Sequence, residues 1–577
     1  MFAILCVLLA AAAPGDVPTV ETDRQLHAIA VDYLNGYYAF SPQTAVELGL
    51  HQFDGKQIDL SQASLAREHA RLKKFDKLLN EFPVEKLSDP VKADYAILQT
   101  GIRESLFTIE EKDAYATNPM TYARAITPNT YLSRNWAPLD SRVKSIIALE
   151  KDTPQVFQAA RANLKKPLPR VLVETAIKVS NGAAEFLEKE LPEATKDVKD
   201  KSLLVELKAS NAIAIREFRD YATWLEKEHL PHAQVRFAWG RDKFIKMLRD
   251  QEMVSQTPEE ILRLGMAELK REQAIFNAAA KRIDPNKPGI ETFTAIQEDH
   301  PTAQSLIPET AKSLEMIRKF VLDKKICSIP SEVRAVVAET PSYRRAVSFA
   351  SMSSPGVFEK VANEAYYYVT PVDQKWTAVQ QNEWLTAFNY YTTDVVSIHE
   401  TYPGHYVQHL HLNMSPVHDV RKVFGSYAFV EGWAHYTEQM LLDEGFPGGD
   451  DALKIAKYRL AQSDESLLRL CRLCVAIQMH CGDMTVDEAT KFFQENCYYL
   501  EQPARQEATR GTYDPGYLNY ALGKLMIFKL RADWQKQEGD KYTIGRFHDT
   551  MLGQGAPPLP LLRRIMLKDR AIWEKAL

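Results

Sequence analysis

A mainly α-helical fold is predicted: two helical lobes around a deep cleft, with a short edge strand or small sheet near the helix that carries the chemistry. Three observations predict it. Helix-start signals recur along the chain, long segments carry apolar residues at three- and four-residue spacing, and strand-like runs are few. The 577 residues are enough for a large core, and 45% hydrophobic with 25% charged residues excludes wholesale disorder. A net charge of −5 offers no electrostatic footprint for nucleic acid.

The chain opens with "MFAILCVLLAAAAPG", an apolar run too short to span a bilayer that closes on small residues, as an export signal does. It lacks the usual Lys or Arg at its start, and Leu5 before Cys6 does not fit a lipid-anchor box. Residues 1–20 are therefore expected to be a signal peptide. No later segment is long and apolar enough to cross a membrane, so the expectation is an exported protein, periplasmic or extracellular, with no stable membrane insertion. An N-terminal helical lobe is expected over residues 21–255 and a catalytic helical lobe over 256–577.

"SQTPEEIL" offers Thr257 as a helix cap, Pro258 at the first helical position and Glu260 closing a capping box; Thr485 and Glu488 repeat the device. Ser41 and Ser88 begin similar starts. Residues 200–228 and 257–282 are amphipathic. "AYYYVTP" (Ala365–Pro371) is the clearest strand, being aromatic and β-branched. The proline-containing stretches 284–308 and 329–342 look like surface connections.

Chemistry concentrates in "HETYPGHYVQ" (399–408). Of fourteen histidines, six fall between His399 and His435: these two with His405, His409, His411 and His418. A metal helix usually sets two histidines four residues apart, on one face, with a glutamate after the first. Here His405 follows His399 by six, about 120° off that face on an unbroken helix. Pro403 cannot donate an N–H, its ring clashes with the carbonyl of His399, and Gly404 permits unusual backbone angles. A two-residue Pro-Gly bulge restores the usual spacing. A rival pairing is His405 with His409, four apart, though it lacks the following glutamate. In "FVEGWAHYTEQ", Glu431, His435 and Glu438 share one helical face among apolar neighbours, where carboxylates need a partner. Glu431 is the expected third ligand, with His435 and Glu438 behind it or in the cleft. Mixed imidazole and carboxylate donors favour zinc.

These motifs resemble a bacterial family catalogued as domain of unknown function 885, whose members carry HE-x-x-PGH and an EGWA-type segment. "FSPQTAVELGLHQFDGKQIDLS" (40–61) and "TRGTYDPGYLNYALGKLMIFKLR" (509–531) resemble its N- and C-terminal signatures. The resemblance implies a helical fold, a zinc site and peptidase action. More distantly the chain is similar to gluzincin peptidases of the angiotensin-converting enzyme and thimet oligopeptidase kind, which implies a large zincin-like fold. In those enzymes an edge strand holds the peptide, a role open to Ala365–Pro371, and a C-terminal tyrosine meets the oxyanion, which Tyr520 matches. His480 matches a histidine position of the first family, which implies a role in orienting substrate or a ligand; the alternative is a satisfied core or helix-end histidine.

The expected chemistry is hydrolysis of bonds in short peptides, with zinc on His399, His405 and Glu431, Glu400 as general base and Tyr520 as oxyanion donor. Arg510 suits a substrate carboxylate, and Tyr517 is a second candidate for substrate contact. Alternatives are a metal-dependent hydrolase of non-peptide amides or esters, and a non-catalytic helical peptide-binding envelope protein. Five cysteines follow the signal. If "CGDMT" (481–485) joins antiparallel helices, Cys497 can pair with Cys471 or Cys474 in an oxidising compartment.

Overall fold

A computed structural model of the chain describes residues 21–341, 345 and 349–577. The expected signal peptide lies outside the described residues. Among the described residues there are 27 α-helices and one three-stranded sheet. The fold is mainly α with a small sheet, as the periodicity predicts.

Both capping boxes form. Thr257 accepts from the Glu260 N–H while the Glu260 carboxylate accepts from Thr257, and Thr485 and Glu488 do the same. Helices also begin after Ser41 (Pro42–Glu47) and Ser88 (Asp89–Leu106), but neither serine side chain caps. The amphipathic stretches are the helices Lys201–Trp224 and Pro258–Ile283.

Apolar side chains gather into three clusters. One joins the first helices through Leu26, Tyr33, Phe75 and Ile97. A second lies between Met120 and Leu225, around Phe157, Phe218 and Tyr221. The third and largest gathers Phe107 with residues from Phe244 to the C-terminus, and the helix Arg241–Glu252 packs against Asp89–Leu106 of the first expected lobe as well as Pro258–Ile283 and Ala452–Cys481 of the second. The backbone of the third cluster is helix Pro258–Ile283 laid along the thirty-residue helix Ala452–Cys481.

The sheet has the order β1 (Ala335–Glu339), β3 (Ala365–Val369), β2 (Ala350–Ser353). β3 pairs parallel with β1 and antiparallel with β2. The expected strand Ala365–Val369 is present, but it is central and paired on both sides, so it cannot serve as the edge; β2 does. The stretches expected as connections hold a helix (Gly289–Gln297) and β1. All five described cysteines are free thiols, including Cys471 and Cys497, which lie against each other without a disulfide.

Candidate metal centre

The His399 helix (Tyr390–Glu400) ends one residue after its histidine, and a new helix begins at His405 and runs to Met414. Four residues, Thr401–Gly404, leave the helix, two more than a Pro-Gly bulge requires. The Tyr402–Pro403 bond is cis. The Gly404 N–H reaches back to Ile398 O at 3.0 Å. Glycine is required there, because a Cβ on residue 404 would lie 1.7 Å from the His399 carbonyl oxygen. The buried Trp433 indole donates to Pro403 O at 3.0 Å, satisfying a carbonyl that the broken helix leaves open. The result brings the His399 and His405 rings to 4.8 Å between centroids, nearly perpendicular at 87°.

Glu431 meets both. It sits in the first turns of the helix Tyr427–Asp443, which is capped by Ser426, whose hydroxyl accepts from the Phe429 N–H. Glu431 Oε2 lies 3.5 Å from His399 Nε2 and 3.4 Å from His405 Nε2, and it is buried without a hydrogen-bond partner. Burial would raise its pKa, but the two imidazoles hold it well below the usual carboxylate range. One ligand atom from each of the three residues lies within 4.8 Å of the others. His409 stays outside this group; its Nε2 accepts from Asn413 at 2.9 Å.

Behind the triad, His399 Nδ1 donates to Glu438 Oε1 at 2.7 Å, and His435 Nδ1 donates to Glu438 Oε2 at 3.0 Å. That carboxylate fixes the tautomer of His399 and turns Nε2 toward Glu431. All three are buried, and the Arg469 guanidinium stands 3.7 Å from Glu438.

Glu400, next to His399, reaches the sheet as well. Its Oε2 accepts from the Met352 N–H of β2 at 2.9 Å. Tyr520 lies near the beginning of the helix Asn519–Glu538, its ring 6.4 Å from that of His399 and nearly parallel to it. Burial, then the charge of Glu431, raises its pKa. Three guanidiniums approach its ring, Arg472 at 5.2 Å, Arg510 at 5.9 Å and Arg469 at 6.0 Å. The Tyr520 helix is set against the Glu431 helix by two glycines. A Cβ on Gly523 would fall 1.9 Å from Ala428 O, and one on Gly432 would fall 2.5 Å from Gly523 Cα. Glu252 ties the starts of both helices together, accepting from the Ser426 hydroxyl, from Ala428 N–H at 3.3 Å and from Asn519 at 3.3 Å.

Arg510 is half-buried and held by Asp514 at 3.0 Å and by the Tyr427 hydroxyl at 3.1 Å. Tyr517 is fully buried under Gly511, where a Cβ would fall 2.4 Å from its hydroxyl, so it has no surface to offer a substrate. His480 is also core: it accepts from Trp239 N–H at 3.3 Å, donates to Gly511 O at 2.8 Å, and burial takes its pKa down to about 4. Arg469 and Arg472 escaped the sequence reading, although two arginines inside the apolar run "LLRLCRLC" were a visible signal.

The family described as "Bacterial protein of unknown function (DUF885)" matches residues 42–566. Two similar solved structures are each described as a "putative lipoprotein". That from Shewanella oneidensis, of unknown function, is 23% identical with a TM-score of 0.77, over 94% of this chain and 99% of its own. That from Colwellia psychrerythraea is 17% identical with a TM-score of 0.78, over 97% and 100%. At these identities the likeness is one of fold. No curated protein matches.

Proposed function

The chain belongs to the bacterial family DUF885, and from its His399–His405–Glu431 triad we propose that it is an exported zinc-dependent peptidase acting on short peptides. One observation carries the reading: Glu431 Oε2, buried and without a hydrogen bond, is set 3.4 and 3.5 Å from two imidazole nitrogens. Those separations are long for hydrogen bonds, but two donors about 2.0–2.1 Å from one tetrahedral ion are themselves about 3.3–3.4 Å apart. The residues fit zinc, with Glu438 and His435 supporting His399 from behind. Zinc held there would supply Lewis acidity and lower the pKa of a bound water toward neutrality.

The remaining work belongs to the chain's own side chains. Glu400, beside the triad, accepts the proton of the attacking water and passes it to the leaving amine. Tyr520 donates its O–H to the developing oxyanion, and its raised pKa keeps it protonated for that task. Arg510 matches a substrate carboxylate. The outer edge of β2, whose Met352 N–H already meets Glu400, offers backbone groups for an extended chain. That edge favours a peptide over a non-peptide amide or ester. Export rests on the apolar start of the chain, and the lipoprotein descriptions of both neighbours agree with it.

The test is metal analysis of the purified protein followed by a peptide-library digest with and without chelator. Stoichiometric zinc and chelator-sensitive cleavage are expected. A metal-free protein that still cleaves, or a zinc-loaded one that cleaves no peptide, overturns the reading.

A further inference from the structure

The general base of the proposed reaction does not stand free. Glu400 is the last residue of the helix Tyr390–Glu400, and its Oε2 accepts from the Met352 N–H of β2 at 2.9 Å. The packing of helix on sheet fixes that contact. Met352 pairs with Tyr367 of β3, and the buried Ser397 hydroxyl donates to the Tyr367 hydroxyl at 3.2 Å. Ser397 lies one helical turn before Glu400, so helix and strand are pinned together next to the Glu400 contact.

Which edge of β2 Met352 serves follows from the alternation of the strand. The Thr370 N–H donates to Phe349 O at 3.0 Å, so the main-chain groups of Phe349 face β3. Such groups alternate sides along an antiparallel strand, which turns those of Ala350 and Met352 outward. In a strand of four residues, these two supply the N–H donors of the outer edge. Met352 is the one beside the proposed base, and therefore beside the bond to be broken.

A main-chain N–H in that place has two uses that exclude each other. An extended peptide adding to β2 needs outward N–H groups to meet its own carbonyls. At Met352 the donor is already held by a carboxylate, a stronger acceptor than a neutral carbonyl. The exchange is offset by what Glu400 gains, because the carboxylate turned from the sheet accepts from the attacking water.

We propose that substrate and base compete for this N–H: a peptide carbonyl laid on β2 takes it from Glu400, and the released carboxylate turns to the water. The inference rests on the peptidase reading above. With no chain on the strand the base stays latched to the sheet. With one in place it is delivered beside the bond to be cleaved. Turnover is thereby confined to substrates that bring a main-chain carbonyl to Met352, which disfavours small amides and esters whose one carbonyl is the reacting one.

The test follows the Met352 amide by NMR hydrogen exchange in zinc-loaded full-length protein, isotopically labelled at its methionine nitrogens. Loss of the signal in Met352→Leu assigns it. The ligand is the best-cleaved peptide of the library digest, carrying a dye so that its binding is read by fluorescence. Glu400→Ala, which removes the acceptor and stops turnover, should make this amide exchange about tenfold faster or more, and saturating peptide should restore its protection. An amide equally protected in both proteins, or one that bound peptide leaves unprotected, overturns the latch while the peptide site stands. Kinetics give a second measurement. Met352→Pro removes the N–H at an edge position, where proline is tolerated. KM for the same peptide should rise about tenfold with kcat nearly constant, since one substrate contact is lost and the base is already free. A fall in kcat at unchanged KM, in folded and zinc-loaded Met352→Pro, overturns the latch; if that variant does not fold, the exchange result decides. Absence of cleavage of any library peptide by the unsubstituted protein overturns the peptidase reading and the latch with it.

Discussion

Glu400 and His405 are one turn apart in sequence logic, yet their substitutions should separate cleanly. Glu400→Gln keeps the triad intact, so zinc stoichiometry should be unchanged while turnover falls by about 100-fold or more, the range for loss of a general base. His405→Ala removes a donor and should lose the metal, read by elemental analysis of the dialysed protein. Full turnover in Glu400→Gln removes it as the base. For Tyr520→Phe the expected loss is in kcat, about 100- to 1,000-fold, with KM nearly constant, because its hydrogen bond strengthens only as negative charge develops. A change confined to KM makes it a substrate-holding residue instead. These residues were legible because their types and spacings state the chemistry: a histidine followed by glutamate, and a carboxylate stranded among Phe429, Val430 and Trp433. Tyr517 and His480 could not be assigned between core and site from sequence, for a physical reason. A buried tyrosine and a buried histidine carry the same letters as exposed ones, and only packing tells that Gly511 covers both.

Between residue and molecule, glycines set the geometry. Gly404→Ala should displace the carbonyl of His399 and lose zinc, since no rotamer moves a Cβ placed 1.7 Å from a backbone oxygen. Gly523→Ala forces apart the helices that carry Glu431 and Tyr520, at a cost of about 1–3 kcal/mol or more. Gly182→Ala is the control: nothing lies within 4 Å of its added Cβ in the helix Arg170–Glu185, so a gain of about 0.5–1 kcal/mol is expected. Melting temperatures and zinc content of the three variants distinguish a tight contact from a general intolerance of substitution. Deleting Pro403 and Gly404 should also lose the metal, because both carbonyls face the Trp433 indole. Their joint roles were only half visible in sequence. Proline and glycine announce a break, but not that four residues leave the helix. β2 was invisible because "ASMS" is only four residues long and holds no β-branched or aromatic residue; its strand state comes from pairing with β3.

For the molecule as a whole, buried histidines couple stability to pH. His480 and His548 each donate one ring N–H to a backbone carbonyl and accept with the other nitrogen, and burial takes their pKa values down to about 4 and about 3. Both are neutral in the folded and unfolded chain above their ordinary value of 6.5. Below it the unfolded chain takes up protons that the folded one refuses, so stability is full at neutral pH and falls as pH drops toward about 4. Each contributes up to about 1.4 kcal/mol per pH unit. Denaturant melts of metal-free protein at pH 7 and pH 5 should show the loss, and His480→Asn should show less of it; identical slopes refute the assignment. Mainly helical architecture was readable from periodicity and caps, whereas the three separate cores were not, because side chains far apart in the chain decide them. One last consequence follows from the place where Gly432 meets Gly523. There two main chains touch with no side chain between them, so the spacing of Glu431 from Tyr520 is a fixed gauge. Whatever opening admits a substrate has to come from the opposite bank, leaving this pair as the stationary jaw.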